Sequence, residues 1–141
     1  MRKCTFFGHR DAPDNVGLQL SEKLRNIIVN ENVSVFYVGD NGRFDKMVQM
    51  TLANLKKEGY DIEFFVVLAY MPKNKSVVNC ETIYPEGLET VPPKYAIDRR
   101  NRWMIEHSDY AIVYVKRSYG GAAKYAEVAK KKGLKVINIA K

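Results

Sequence analysis

The stretch Cys4-Thr5-Phe6-Phe7-Gly8-His9-Arg10 is the part of the sequence that decides the fold class. Its short run of apolar and β-forming residues, closed by a glycine, predicts a buried strand that leads directly into a turn. Residues 33–38, which Gly39 closes, repeat this pattern. Nearly continuous apolar runs of this kind are typical of strands that helices cover on both faces.

Predicted helices and strands alternate along most of the chain. Apolar residues recur at spacings of three and four after Asp14 or Asn15, either of which can cap the first helix, and again after Asp45, where a second helix is expected to begin. This alternation predicts an α/β fold with a parallel sheet between two helical layers. We therefore expect one Rossmann-like, three-layer domain over residues 1–141, with five parallel strands in the order 3-2-1-4-5. The predicted strands are residues 4–7, 33–38, 62–69, 110–115 and 135–139, and two further helices are predicted over residues 96–107 and 121–132.

Residues 72–95 interrupt this alternation. They are rich in proline, asparagine and glutamate, and they show no clear period. A long irregular stretch inside a compact domain is usually functional. We interpret it as a loop excursion over one rim of the sheet that closes over a bound ligand.

The charge balance favours an anionic partner. The chain has 23 lysine and arginine residues against 16 aspartate and glutamate residues, which gives a net charge of +7. A basic surface attracts nucleotides, nucleic acid or acidic lipid head groups, although a solvated lysine-rich surface gives the same number. No apolar run approaches the roughly 20 residues of a membrane span, and the apolar patch at the start is too short for a secretory signal. We therefore expect a cytoplasmic protein with no membrane partner.

The sequence indicates neither a metal site nor a cofactor. Its two cysteines and two histidines show no metal-ligand spacing. The dinucleotide pattern G-x-G-x-x-G and the P-loop pattern G-x-x-x-x-G-K-[ST] are both absent. Neither NAD binding nor ATP hydrolysis is therefore indicated.

Glycine-bearing turns follow three of the predicted strands. They are Gly8-His9-Arg10, residues 39–45 and residues 118–121. Because ligands of parallel sheets bind beyond the carboxyl ends of the strands, we expect these turns to meet at one edge. Glycine lets backbone N–H groups approach an anion, and a helix that begins at Gly121 adds a positive dipole end. One such turn alone would be an ordinary tight turn, but three at one edge predict a site for a phosphate or a phosphorylated sugar.

Four motifs carry a family resemblance. They are the opening stretch from Cys4 to Arg10, Phe36-Tyr37-Val38-Gly39, Arg100-Asn101-Arg102-Trp103-Met104 running into Ser108-Asp109, and Gly120-Gly121-Ala122-Ala123. Together they resemble the YpsA-like branch of the SLOG superfamily over nearly the whole chain. That superfamily also includes the lonely-guy phosphoribohydrolases and the DNA-processing protein DprA. The resemblance implies a nucleotide-binding domain that forms a homodimer.

The similarity to phosphoribohydrolases rests on two elements. That family has an arginine ahead of a methionine and an aspartate, and Arg100, Met104 and Asp109 match this spacing. Its G-G-x-G-T-x-x-E element is matched by residues 120–127, except at the third glycine and the threonine. For an enzyme, the resemblance implies that Arg100 and Glu127 form the catalytic pair that cleaves the N-glycosidic bond of a nucleoside monophosphate. A carboxylate stabilises the oxocarbenium-like charge of that reaction, whereas Glu127 is otherwise an exposed helix carboxylate beside a lysine.

The similarity to DprA rests on residues 39–45, which resemble a glycine turn of that branch. It implies binding of single-stranded nucleic acid, which needs a basic groove with stacking aromatic side chains. Tyr37, Phe44, Tyr119 and Tyr125 are the candidates, and each also has a simpler role in packing.

Our main interpretation is a sensor or regulatory domain that binds a nucleotide, a nucleotide sugar or another nucleotide-derived ligand. Phosphoribohydrolase activity and single-stranded nucleic-acid binding are the two alternatives. In this interpretation the glycines shape an anion cradle to which Arg10 and Arg100 supply charge. Asn41 and Asp45 bond the sugar or fix the turn, and the resemblance adds Glu127 as a ribose contact. The full set of candidate ligand-binding residues is Gly8, His9, Arg10, Gly39, Asn41, Gly42, Asp45, Arg100, Tyr119, Gly120, Gly121 and Glu127.

Overall fold

The computed structural model describes residues 1–71 and 81–140. Strands and helices alternate along the chain. The strands are β1 (Arg2–Gly8), β2 (Val33–Val38), β3 (Glu63–Val67), β4 (Thr82–Ile83), β5 (Tyr110–Tyr114) and β6 (Lys135–Asn138). The α-helices are α1 (Val16–Glu31), α2 (Gly42–Lys57), α3 (Ala96–Glu106) and α4 (Gly121–Lys131), and two short 3-10 helices cover Leu88–Thr90 and Pro93–Tyr95.

The strands form a single parallel sheet in the order β4-β3-β2-β1-β5-β6, which confirms the predicted α/β class. The prediction of five strands in the order 3-2-1-4-5 is wrong, because β4 adds a sixth strand beside β3. In this pair Val66 lies beside Thr82 and Val67 beside Ile83. Two residues within a proline- and glutamate-rich stretch have no periodicity of their own, so the sequence carries no signal for this strand.

Side chains of the central strands alternate between two cores, as the pleat of a strand requires. Phe6 and Phe36 stack with ring centroids 6.0 Å apart in the core that α1 and α2 cover. Phe7 and Tyr37 follow them by one position and lie in the core that α3 and α4 cover. Helices therefore cover both faces of the sheet, and the ends of the strands are left uncovered.

The stretch predicted as an irregular excursion, residues 72–95, is only partly described. Residues 72–80, which include Cys80, lie outside the described residues. Residues 81–95 contain β4 and both 3-10 helices, and Leu88 in this part is buried. The described part therefore adds β4 to the sheet beside β3 and packs its two 3-10 helices against α3, and closure over a ligand stays a prediction.

The path of the chain changes direction at β1. Three strands, β2, β3 and β4, lie on one side of β1, and β5 and β6 lie on its other side. In open α/β sheets, ligands bind beyond the carboxyl ends of the strands at the position where the strand order reverses. Here that position lies beyond the ends of β1 and β5, next to the turn that follows β2.

Two kinds of feature are absent from the residues that the structure describes. No helix among them is long and apolar enough to cross a bilayer. No group of three or more histidine, cysteine, aspartate or glutamate side chains among them is arranged to hold a metal ion.

The buried face of α1 gives a test of this packing. Leu24→Ala should lower the free energy of unfolding by about 2–5 kcal/mol, because Leu24 is fully buried and its truncation leaves a cavity. Leu18→Ala on the same helix is the matched control, since Leu18 is 76% exposed. It should change the free energy of unfolding by less than about 0.5 kcal/mol. Urea unfolding followed by circular dichroism measures both, and equal losses would contradict the orientation of α1.

Candidate functional site

A cleft of about 400 Å³ lies beyond the end of β1, between α3 and the first turn of α4. We call it the first cleft. Nine of the twelve candidate ligand-binding residues line it, namely Gly8, His9, Arg10, Asn41, Asp45, Arg100, Tyr119, Gly120 and Gly121. Tyr125, which the sequence analysis names as a candidate stacking residue, also lines it. The remaining lining residues were not predicted to bind a ligand, and they are Phe6, Phe7, Ile97, Asn101, Met104, Arg117 and Ala122. Residues from all three glycine-bearing turns therefore surround one opening.

Gly39 and Gly42 lie behind the first cleft rather than in its lining. A Cβ atom at Gly39 would lie 2.8 Å from the Asp45 Oδ2 atom and 3.1 Å from the Arg100 guanidinium. Gly42 has a φ of 88°, and a Cβ atom there would lie 2.9 Å from the Arg10 Cα atom. These glycines are therefore needed for the turn after β2 to pack closely against its neighbours.

Arg100 holds the turn after β2 in place. Its side chain is only 2% exposed. Its Nε donates a hydrogen bond to the Asn101 Oδ1 atom at 2.8 Å, and its Nη2 donates one to the Asn41 Oδ1 atom at 2.8 Å. Its Nη1 donates to the Asp40 Oδ1 atom at 3.1 Å and to the Val67 carbonyl oxygen at 2.9 Å.

These four bonds leave one of the five guanidinium N–H groups for a ligand. The charge of Arg100 is also partly balanced by Asp40. Arg100 therefore acts mainly as a positioning residue that joins α3, the end of β3 and the turn after β2. The free positive charge at the first cleft comes from other side chains.

Asp45 fixes the same turn from the first turn of α2. One of its carboxylate oxygens accepts the backbone N–H of Asn41 at 2.9 Å. Burial raises the pKa of Asp45 to about 6, although the Asn41 N–H group and the Arg100 charge both oppose this rise. Asp45 is therefore a carboxylate at neutral pH that takes up a proton under mildly acidic conditions.

His9 joins the turn after β1 to the turn after β5. Its side chain is buried, and its Nε2 atom accepts the backbone N–H groups of Lys116 at 2.9 Å and Arg117 at 3.2 Å. Two accepted bonds require an unprotonated Nε2 atom, so the ring is neutral. Burial lowers the pKa of His9, and the positive charge of Arg117 lowers it further. His9 is thus a structural acceptor, and its Nε2 lone pair is already engaged.

Arg117 is the functional candidate that sequence reasoning missed. Its guanidinium makes two hydrogen bonds to the Asp11 carboxylate, at 2.8 and 3.1 Å, and lies 5.9 Å from the centre of the Tyr119 ring. The bonds from Arg117 hold the pKa of Asp11 below its usual range. Because Arg117 directly precedes the predicted turn at residues 118–121, extending that turn by one residue would have found it.

The start of α4 forms an exposed wall of the first cleft. Tyr119 is 70% exposed, and added Cβ atoms at Gly120 or Gly121 would meet nothing within 4 Å. No side chain caps the first turn of α4. Its backbone N–H groups, at the positive end of the helix dipole, are therefore open to an incoming anion.

Tyr125 forms part of the floor of this cleft rather than a free stacking surface. Its ring stacks on Phe7 with centroids 5.5 Å apart. Its hydroxyl donates a hydrogen bond to the Asp98 Oδ1 atom at 2.5 Å, which joins α4 to α3. Burial and this bond raise the pKa of Tyr125 to about 12.

Glu127 does not line the first cleft. It lies in a separate depression beside α4, with its side chain 64% exposed and Lys130 3.6 Å away. Arg100 and Glu127 are therefore not brought together in one cavity, as N-glycosidic cleavage by this pair would need. The surroundings of Glu127 are those of an exposed helix carboxylate beside a lysine.

The neutral state of His9 predicts a pH dependence of stability. His9→Gln keeps an acceptor and removes the titrating ring. Since the folded-state pKa of His9 lies below the ordinary 6.5, its stabilising contribution is complete above that pH and is lost as the pH falls through the folded-state pKa. The free energy of unfolding of the wild type minus that of the variant should therefore fall as the pH drops below 6.5. Urea unfolding over a pH series measures it, and a difference that grows on acidification would contradict the assignment.

Solved structures resemble this fold, whereas no protein-family model and no curated protein matches the sequence. DNA processing protein A (DprA) from Streptococcus pneumoniae superposes with a TM-score of 0.71 and 19% identity, over 96% of this chain and 49% of that chain. DNA processing protein A from Helicobacter pylori, described for its single-stranded DNA binding mode, superposes with a TM-score of 0.67 and 16% identity, over 96% of this chain and 63% of that chain. This chain spans less than two thirds of either neighbour, and at these identities the likeness shows a common fold.

Proposed function

We propose that this chain binds single-stranded nucleic acid, with a backbone phosphate in the first cleft and a base on Tyr119. The observation that carries this proposal is the exposed wall formed by Arg117, Tyr119 and the first turn of α4, opposite Arg10. Sequence-independent binding of single strands combines a cationic groove with aromatic stacking surfaces. This wall offers both within one opening.

The chemistry of the wall suits a phosphate diester. A guanidinium binds two phosphate oxygens with the same planar geometry that it uses for a carboxylate. Arg117 already presents this geometry to Asp11, whose side chain is 72% exposed. An exposed ion pair of this kind stabilises a protein by about 0–1 kcal/mol, so a phosphate can displace the Asp11 carboxylate at small cost. The net charge of +7 adds long-range attraction for a polyanion.

The fold likeness supports the same proposal. The Helicobacter pylori neighbour binds single-stranded DNA, and this chain matches it over 96% of its own length. We further propose that residues 1–141 form one domain of the SLOG type, as the sequence motifs imply.

A free nucleotide or nucleotide-derived ligand in the first cleft is the second candidate. The cleft volume of about 400 Å³ favours it, because small-molecule sites typically occupy about 300–1,000 Å³. Phosphoribohydrolase activity has less support, since Arg100 is engaged by protein groups and Glu127 lines a different depression.

Binding to labelled oligothymidylate tests the proposal. The wild type should bind the single strand more tightly than a duplex of equal length, and binding should weaken steeply as salt rises. Arg117→Ala and Arg10→Ala should each weaken binding about tenfold, because each removes a charge-assisted bond to phosphate, and each should reduce the salt slope by about one. Fluorescence anisotropy across a salt series measures both quantities.

Arg99→Ala is the matched control for these variants. Arg99 is an exposed arginine of α3 that does not line the first cleft, so its loss should change affinity much less. Equal effects of all three variants would indicate attraction by net charge alone and contradict a site at this cleft. Tight binding of a mononucleotide that longer strands do not improve would favour the second candidate.

Because the pKa of Asp45 is raised, we expect the affinity for single-stranded nucleic acid to depend on pH. Its pKa near 6 means that the carboxylate is charged at about pH 8, where it repels a phosphate in the same cleft, and largely neutral at about pH 5. Wild-type affinity at constant salt should therefore rise as the pH falls through about 6. Asp45→Asn should bind more tightly than the wild type at about pH 8 and show a flatter profile. Parallel profiles for the two proteins would contradict this role of Asp45.

A further inference from the structure

We propose that a second cleft, on the other side of Tyr119, holds the neighbouring nucleotide of the same strand without selecting its base. This inference rests on the proposed single-strand binding at the first cleft. The second cleft has a volume of about 520 Å³ and lies between α4 and the ends of β5 and β6. It shares Arg117, Tyr119 and Gly120 with the first cleft, so the two depressions have a common wall.

The interior of the second cleft suits a flat, largely apolar group. Val113, Val115 and Val136 of the sheet line it from one side, and Ala123 lines it from α4. Val115, Val136 and Ala123 are half-buried, so apolar surface remains open there. A nucleobase that enters from the Tyr119 side would cover this surface and stack on an aromatic ring at the entrance.

Asn138, the amide side chain that lines this cleft, is largely engaged by the backbone. The Asn138 Oδ1 atom accepts the backbone N–H of Val115 at 3.1 Å, and the Asn138 Nδ2 atom donates to the Val115 carbonyl oxygen at 3.0 Å. Discrimination between bases requires free donors and acceptors that face the base edge. Since the Asn138 amide is engaged by the backbone, we infer that the second cleft accepts different bases with similar affinity.

Two lysines at the rim remain available for a phosphate. Lys124 and Lys130 have side chains that are 56% and 59% exposed. Each forms an ion pair at the surface, Lys124 with Asp98 at 3.5 Å and Lys130 with Glu127 at 3.6 Å, and a phosphate can displace such a pair at small cost. Both ammonium groups can therefore turn towards a backbone phosphate that leaves the second cleft.

A single-stranded nucleic acid that crosses the start of α4 would thus contact charged, aromatic and apolar groups in turn. A phosphate at Arg10 and Arg117 comes first, the Tyr119 ring follows, and an apolar recess with lysines at its rim comes last. A mononucleotide fills only the first part of this series. Affinity should therefore rise from thymidine monophosphate to a short oligothymidylate.

Variants that fill the second cleft or remove a positive charge from its rim test the inference. Ala123→Leu places a larger side chain in the recess, and Lys130→Gln removes a rim charge. Each should weaken binding of a hexathymidylate at least about fivefold, because a stacked base or a phosphate contact is lost, while binding of thymidine monophosphate stays unchanged. The matched controls are Ala53→Leu on α2 and Lys131→Gln on α4, neither of which lines the first or the second cleft. Both controls should bind the hexamer as the wild type does.

The dependence of affinity on the base composition of the oligonucleotide gives a second test. Hexamers of adenine, cytosine and thymine deoxynucleotides should bind within about threefold of one another, and the ribonucleotide counterparts show whether DNA or RNA is preferred. Isothermal titration calorimetry at constant salt measures the dissociation constant of each protein for each oligonucleotide, and melting temperatures check that each variant is folded.

The outcomes separate this inference from the proposed function. If Ala123→Leu and Lys130→Gln bind the hexamer as the wild type does while Arg117→Ala loses binding, the second cleft is not a subsite and the proposed function stands. Equal weakening of monophosphate and hexamer would also overturn the inference, because the second cleft would then not act separately. If the wild type binds no oligonucleotide, both the proposed function and this inference are wrong.

Discussion

The arrangement of the cleft depends on one buried cation. The Arg100 guanidinium lies where α3, the end of β3 and the turn after β2 meet, and it bonds to a group from each. Removing this side chain would leave the Val67 carbonyl and the Asn41 and Asn101 amide oxygens without their donor, and each unsatisfied buried acceptor costs about 1–3 kcal/mol. Arg100, which the family resemblance implies is catalytic, therefore serves here to hold the turn that carries Asn41. The charges offered to a ligand come instead from Arg10 and Arg117, which are nearer to solvent.

His9 plays the corresponding part between β1 and β5. Its neutral ring accepts two backbone N–H groups from the turn that leads to Tyr119 and α4. Two buried polar side chains, Arg100 and His9, thus fix the loops on either side of β1. The exposed residues between them remain free to contact a partner. This division explains how a site with open backbone N–H groups and a 70% exposed tyrosine is held on a rigid sheet.

The sequence predicts those features that follow from local periodicity. The apolar runs at β1, β2 and β5 identify buried parallel strands, and the rule for such sheets brings the turns after them to one edge. It does not predict β4, because Thr82 and Ile83 become a strand only through pairing with β3. The roles of His9, Arg100 and Arg117 depend on partners distant in sequence, so a local pattern identifies their position but not what they bond.

We propose that nucleic acid binds at the exposed start of α4. The most direct test is a titration of isotopically labelled protein with hexathymidylate, followed through backbone amide chemical shifts. We expect the largest shifts at Arg117, Tyr119, Gly120 and Gly121, with small changes at Lys131 and Lys132, which line neither cleft. Shifts centred on Lys131 and Lys132 instead, with the amides of Gly120 and Gly121 unmoved, would contradict a site at the start of α4.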